Sequence, residues 1–347
     1  MKYLFIITGI AYGHFTREEA IIDKLKKLDK KAEINIASYG TAYEYFRKKY
    51  KLLKLEPMFW PDKLVKVQFF NTLIKNYKLI INWLINGKRI NKFADENKID
   101  EVISDWEPFA IFLGKCKYLI WNYKPKYALV NNFIVFIEKI SIELGYFISW
   151  ALGKRILIPS LKKEENKRNI IYTSLILRKT PNEVKALRNY RNAILVMIGG
   201  SRFGYDLARK IENISNSFNE KFIFFNYKCK TKNCIGYNKF KDNYLEYLKS
   251  CKAVISLGGY SGISESIFFK KPNLAFPIKN WIEQQAVAEE FKDYIEIGDI
   301  ESNEEELKFK IKSFLGNTDK IRKKLNTLKL KNGADEIAEI IYRKDNF

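Results

Sequence analysis

Residues 253–285, AVISLGGYSGISESIFFKKPNLAFPIKNWIEQQ, decide the fold. Ala253, Val254, Ile255, Ser256 and Leu257 form a short apolar run that reads as a buried strand. Gly258 and Gly259 break it. Ser261 or Ser264 is placed to cap a helix that carries Glu265 in its first turn and stops before Pro272. Strand, glycine turn and helix start bring unpaired backbone N–H groups, with their partial positive charge, to the carboxyl edge of a sheet. Such an edge suits an anion, most often a phosphate. Glu265, about 6 Å further along by helical rise, is placed to accept hydrogen bonds from a hydroxyl pair such as a ribose. Two glycines and a glutamate are also ordinary helix-start chemistry, so the downstream residues carry the decision. A second apolar strand, Asn273 to Pro277, leads to a loop presenting Glu283, Gln284 and Gln285, a donor and acceptor set that suits sugar hydroxyls.

Working outward, the same strand–glycine–helix pattern recurs twice. Ala193 to Ile198 reads as a strand ending in Gly199, Gly200, Ser201, Arg202, Phe203 and Gly204 before a helix from Tyr205. This is a second phosphate candidate, with Arg202 placed for a diphosphate, although a plain strand-to-helix turn explains each residue equally well. Tyr3 to Thr8 reads as a first buried strand, Gly9 to Gly13 as its turn, and the segment from Thr16 as an amphipathic helix. A strand at Glu33 to Ala37 then completes a βαβ unit. GIAYG carries two glycines only, which does not support a bound dinucleotide. The same turn holds His14, the one histidine in the chain. Glu101 to Ser104 reads as a further buried strand that ends in Asp105, Trp106, Glu107 and Pro108. In a doubly wound sheet these carboxylates face the same crevice as His14. Asp105 either orients His14 or acts as the base itself, and Glu107 is a candidate cap for the next helix.

The motifs GGYSGISES, KKPNLAFPI and EQQAVA together resemble the donor-binding half of GT-B glycosyltransferases. Within them the likeness is greatest to the group related to family 28, which includes the N-acetylglucosaminyltransferase of peptidoglycan synthesis. GHFTRE resembles that group's GH-x-x-R pattern, and SDWEP its SD-aromatic-EP signature. The resemblance implies two Rossmann-like α/β domains facing a cleft. It places Gly259, Tyr260, Ser261, Gly262 and Ser264 near a diphosphate, Glu265 on the ribose, and Glu283 and Gln284 on the donor sugar. A backbone contact to the nucleotide base is expected between Tyr237 and Phe240. In some relatives the first-loop histidine deprotonates the acceptor; in others it only positions acceptor or phosphate. The group usually has Asn-Ala where this chain has Val287-Ala288, which puts one polar contact in doubt.

A chain of 347 residues suits two domains. We place them at 1–178 (acceptor side) and 179–330 (nucleotide-sugar side), with 331–347 a helix that returns to the first. With 47% hydrophobic and 15% aromatic residues, disorder is excluded as the main state. The net charge of +22 attracts anions without choosing among them. Cys116, Cys229, Cys234 and Cys251 show no metal-ligand spacing and read as free thiols of a reducing cytosol. The N-terminal apolar run is short, lacks a cleavage site and flows into a glycine turn, so strand is preferred to signal peptide. No uncharged stretch reaches the length of a membrane span.

Residues 57 to 95 alternate aromatics with lysines, and a helical pattern runs from Leu73 to Phe93. The later part suits a core-packing helix. The earlier part, 57–75, suits a loop at a membrane surface or an acceptor groove. The same composition describes single-strand nucleic-acid binders, but the donor-site resemblance favours a membrane or lipid acceptor, and nucleic acid is not expected as a partner.

The expected function is transfer of a sugar from a nucleotide diphosphate donor, UDP-linked, to an acceptor hydroxyl of a lipid-linked or glycan molecule. The sugar is a hexosyl or N-acetylhexosaminyl group. His14 or Asp105 would take the proton, and helix ends with Arg202 would hold the departing diphosphate without a metal. The resemblance implies inversion. No cofactor is expected, and the setting is cytoplasmic, with contact to the inner membrane face. Two rivals stand beside this reading: a nucleotide-sugar 2-epimerase or hydrolase, against which the single histidine argues, and a non-catalytic basic protein of membrane or nucleic-acid surfaces.

Overall fold

The computed structural model describes residues 1–10, 12–57, 77–122, 124–127, 133–162, 164–199, 204–239, 241 and 243–343. The chain opens with β1 (Lys2–Ile7), α1 (Gly13–Leu28), β2 (Glu33–Ser38), α2 (Gly40–Phe46) and β3 (Lys51–Lys54). α3 (Leu79–Glu96), β4 (Glu101–Asp105), β5 (Cys116–Ile120), α4 (Phe133–Ala151), β6 (Arg155–Pro159) and β7 (Ile170–Thr173) follow. Among the described residues these strands form one seven-stranded sheet in the order β3-β2-β1-β4-β5-β6-β7. Every pair in it is parallel.

A second set begins with β8 (Ala193–Met197), α5 (Tyr205–Ile214), β9 (Lys221–Phe225), β10 (Cys234–Tyr237) and α6 (Tyr244–Ser250). It continues through β11 (Ala253–Ser256), α7 (Tyr260–Phe268), β12 (Asn273–Ala275), α8 (Ile282–Phe291), β13 (Glu296–Ile297) and α9 (Glu304–Asn326). Its sheet, also wholly parallel, runs β10-β9-β8-β11-β12-β13. The expectation of two doubly wound α/β halves is met. Parallel strands must be covered on both faces, which is why they read as continuous apolar runs. Leu4 and Ile6 pack on one face of the first sheet, Tyr3, Phe5 and Ile7 on the other.

Most differences from the sequence reading fall at edges and ends, apart from α2, which the sequence reading did not place. Sequence periodicity placed neither β3 nor β10. Both are edge strands without an interior burial pattern, and β3 is framed by Lys51 and Lys54, a usual device against edge pairing. α1 begins at Gly13, not Thr16, because the Thr16 N–H already donates to the Tyr12 carbonyl. The helix anticipated from Leu73 is described from Leu79, and 58–75 of the segment assigned to a membrane loop lie outside the described residues. No helix among the described residues is long and apolar enough to cross a membrane.

The last helix, α10 (Gly333–Arg343), packs along α1, with Ala334, Ile337, Ala338 and Ile341 inside the core of the first sheet. Gly333 lets it start there: its N–H donates to the Leu175 carbonyl at 2.7 Å, and a Cβ on it would lie 1.8 Å from the Ser174 carbonyl oxygen. Gly333→Ala is therefore expected to cost about 2 kcal/mol or more through overpacking against backbone. Urea melts measure the loss, and limited proteolysis should find the end of the chain cleaved sooner than in the wild type.

Candidate active site

In each sheet the order reverses direction once, between β1 and β4 in the first and between β8 and β11 in the second. Ligands of parallel α/β sheets bind beyond the carboxyl ends of strands at such points. Here the loops from both reversal points line one cavity of about 190 Å³. Tyr12, Gly13, His14 and Arg17 enter it from the first lobe. Gly199, Gly259 to Gly262, Glu265, Glu283 and Gln284 enter from the second. The lobes also touch directly, Ser261 Oγ donating to the Gly13 carbonyl at 3.2 Å.

Beneath the first-lobe wall lies a buried charge cluster. Asp105, at the end of β4, has no exposed surface and accepts from the Arg17 guanidinium through Oδ1. His14 Nδ1 is 3.2 Å from the same oxygen and 3.0 Å from Arg17 Nη2. Since guanidinium only donates, the two contacts require opposite tautomers. A proton on Nδ1 goes to Asp105 and leaves Nε2 with a free lone pair; a bare Nδ1 accepts from Arg17 and puts the proton on Nε2. Burial would raise the Asp105 carboxyl, but Arg17 and His14 outweigh it and hold the group below the usual carboxylate range. Glu18, wholly buried one residue beyond Arg17, moves the other way. Burial and the Asp105 charge push it well above the usual range, against the pull of Arg17.

Glu107 does not cap the turn that follows it, as the sequence suggested. Its Oε1 accepts from Thr8 Oγ1 at 3.0 Å, and burial raises its pKa to about 7.

On the second lobe, α7 starts at Tyr260, with extended Gly259 as its N-cap. Neither Ser261 nor Ser264 caps it, and Glu265 sits in the second turn, not the first. The reason is Gly258: at φ +75°, with Pro277 Cα 3.2 Å from where its Cβ would stand, it turns the chain sharply enough to begin the helix early. Glu265 accepts from Arg178 Nε at 3.0 Å and Nη2 at 2.9 Å, and both residues line the cavity. Burial raises the Glu265 carboxyl and Arg178 pulls against it. Glu283 and Gln284 lie in the first turn of α8 instead of on a loop. Glu283 Oε1 accepts from the Asn122 amide, across the cleft, and Gln284 Oε1 from the Ile278 N–H at 3.0 Å.

Several proposed positions are not on the cavity wall. Asp105 is beneath it, while Gly258 and the buried Ser264 do not line it. Gly200, Ser201 and Arg202 lie outside the described residues, as does Phe240. Val287 is fully buried in the second-lobe core, so its side chain packs inward away from the cavity. Arg17, Glu18, Asn122, Arg178 and Trp281 were given no role in the sequence reading. For Arg17 a signal existed, the arginine of GHFTRE; the others come together only through folding. Among the described residues no group of three or more His, Cys, Asp or Glu is placed to hold a metal ion.

The model of a family described as glycosyl transferase family 1 matches residues 1–122 and 157–318. No curated protein sequence matches the chain. Solved structures share its fold along nearly the whole length. The glycotransferase of kitacinnamycin is 14% identical, with a TM-score of 0.65 and 99% of each chain covered. Medicago truncatula UGT71G1 complexed with UDP-glucose is 13% identical, with a TM-score of 0.65, covering 99% of this chain and 98% of that one. The glycosyltransferase VinC in complex with dTDP is 12% identical, with a TM-score of 0.58 and 99% of each chain covered. The fold is thus the two-lobed GT-B arrangement.

Two outcomes follow from the buried carboxyls. Arg178→Ala strands the Glu265 carboxylate and should cost about 3 kcal/mol in urea melts. Arg178→Ala combined with Glu265→Gln should recover more than half of it. For Glu107, a carboxyl raised from 4.5 to about 7 on folding carries no penalty below pH 4.5 and its full penalty above about pH 7. Glu107→Gln should therefore be more stable relative to wild type at pH 8 than at pH 4.5, by on the order of 3 kcal/mol. Melts giving the same difference at both pH values would show that Glu107 ionises without penalty.

Proposed function

The chain belongs to glycosyl transferase family 1, and from that premise we propose that it moves a sugar from a UDP-linked donor to an acceptor hydroxyl. The observation that carries this reading is the single cavity into which the first lobe sends His14 and the second sends the start of α7 with Glu265, Glu283 and Gln284. The N–H groups of Gly259 to Gly262 would receive the diphosphate. On sequence grounds Gly200, Ser201 and Arg202 would flank it. Glu265, aimed by Arg178, would accept from the ribose hydroxyls, and Glu283 and Gln284 would meet the sugar. UDP is favoured by the neighbour that holds UDP-glucose, although another holds dTDP. The likeness of GHFTRE and SDWEP to the family 28-related group is part of the proposal. So is a hexosyl or N-acetylhexosaminyl group as the cargo.

In the proposed step His14 Nε2 takes the proton of the acceptor hydroxyl as its oxygen attacks the anomeric carbon and the diphosphate leaves. In this reading Asp105 orients the ring and is not the base, which is supported by its burial and by Oδ1 lying 3.2 Å from Nδ1. Attack from the face opposite the leaving group inverts the anomeric centre. Positive charge for the departing diphosphate comes from the helix end and arginine, so the reading requires no metal.

Titration with UDP by calorimetry should give measurable heat, and Glu265→Ala should weaken binding about tenfold or more by removing charge-assisted hydrogen bonds. A flat titration with wild-type protein would overturn the donor assignment. His14→Ala should leave UDP affinity within about twofold and lower turnover with a responsive acceptor by roughly 10²–10⁴-fold. Release of UDP at full rate without any acceptor would instead favour a hydrolase or epimerase.

A further inference from the structure

We propose that a cavity at the amino edge of the second sheet binds a small polyphosphate anion, at a site separate from the cleft. The cavity has a volume of about 350 Å³, within the roughly 300–1,000 Å³ of small-molecule sites. Among the described residues its wall carries Arg188, Arg191, Lys249, Lys252, Lys271 and Arg322, and no carboxylate. Arg191 shortly precedes β8, Lys252 precedes β11 and Lys271 shortly precedes β12, so these cations stand where the strands begin. The cleft lies where the strands end, about 13 Å away along the four residues of β11.

These cations outnumber the charges that answer them. Lys252 Nζ donates to Glu220 at 2.7 Å, and Arg322 Nη1 to Asp319 at 2.6 Å. Among the described residues, Lys249 donates only to the carbonyls of Pro181 and Val184, at 2.8 and 2.7 Å. Lys271 likewise donates only to the Cys251 carbonyl, at 2.7 Å. Arg188 and Arg191 have neither a hydrogen bond nor an ion pair among the described residues. Holding carbonyls at element ends is an ordinary task for lysine, and it accounts for part of what Lys249 and Lys271 do. It accounts for nothing at the two arginines. Burial lowers the pKa of Lys271, and the positive charges of Arg322 and Lys249 add to that, a repulsion that a bound anion would relieve. The arginines also stand together. They flank the 3-10 turn Arg188–Tyr190, in which positions three apart eclipse. That turn is pinned, because the Leu187 N–H donates to Ser250 Oγ at 2.6 Å and Tyr190 packs on Tyr247 with ring centroids 5.0 Å apart. Guanidinium forks take phosphate oxygens two at a time, and the lysines keep N–H donors beyond their carbonyl bonds. Cations spread around one concavity suit an anion that carries more than one phosphate. A nucleic-acid strand calls for aromatic platforms along a groove, and no aromatic residue lines this wall. Binding here does not depend on the transferase reading.

Calorimetric titration of the full chain with tripolyphosphate tests the site, at about 0.15 M salt, where exposed charges more than about 8 Å apart are screened. The wild type should bind it, and Arg188→Gln with Arg191→Gln should bind at least about tenfold more weakly. Both arginines are exposed, so the double variant should keep its fold, which melts check; Arg188→Gln alone, with a smaller loss, serves if it does not. In the same melts tripolyphosphate should raise the Tm of the wild type and leave that of the double variant in place. ATP separates two sources of this chemistry: affinity equal to that of tripolyphosphate marks an inorganic chain, and tighter binding marks a nucleotide. Four results would overturn the proposal. One is the absence of both heat and Tm rise with tripolyphosphate. Another is equal affinity in wild type and folded variant, which would move the anion to the cleft. A third is a Tm rise no larger than sulfate gives at matched ionic strength. The last is a single-stranded oligonucleotide that binds the wild type more tightly than tripolyphosphate does and is lost in the variant, which would give the face to nucleic acid.

Discussion

The buried pair of Arg17 and Asp105 holds together what the cleft requires. Asp105 ends β4, the strand on one side of the first sheet's reversal point, and Arg17 lies in the first two turns of α1, which leaves β1 on the other side. Asp105 is wholly buried and Arg17 almost so, so each depends on the other, and breaking such a pair costs several kcal/mol. The pair therefore fixes where α1 begins relative to β4. With α1 fixed, His14 in its first turn points at the cavity, and the Gly13 carbonyl is placed to meet Ser261 of the other lobe. Arg17 also lies 5.8 Å from the Tyr260 ring, the first residue of α7.

The second wall follows the same logic with other partners. Three of the polar groups aimed at the cavity are steadied by a protein group: Glu265 by Arg178, Glu283 by Asn122, Gln284 by the Ile278 N–H. A carboxylate has four acceptor positions, so one such bond orients it and leaves lone pairs for a ligand hydroxyl. Asn122 is from the first lobe and Glu283 from the second, so this bond also holds the cleft at its present width. The polar set is oriented before a ligand arrives, and the ordering cost is met in folding.

The raised carboxyls of Glu18 and Glu107 belong to the same economy of charge. Three carboxyls lie within the buried foot of the first lobe, and one arginine can neutralise only one of them. Asp105 takes that arginine and stays ionised, while its neighbours are pushed toward the protonated form.

The interior strands, most of the helices, the two glycine-led helix starts and the presence of His14, Glu265, Glu283 and Gln284 near the strands' carboxyl edges were legible in the sequence. Apolar runs of strand length and the residues that end them act through local geometry, which a linear reading captures. Edge strands such as Lys51–Lys54 were not legible, because an edge has no burial to write into the sequence. Nor did spacing reveal that Arg178 would meet Glu265, 87 positions away, or that Asn122 would meet Glu283, 161 positions away. The competition for the His14 ring nitrogen likewise arises only because folding brings Arg17 of α1 and Asp105 of β4 to the same atom. The sequence by itself determined two α/β lobes and the residue types offered at their carboxyl edges, since periodicity and turn chemistry are local. Only the tertiary structure decided which of those residues reach the cavity, which are buried beneath it and how each is held, since those outcomes depend on desolvation and on partners that are distant in the chain.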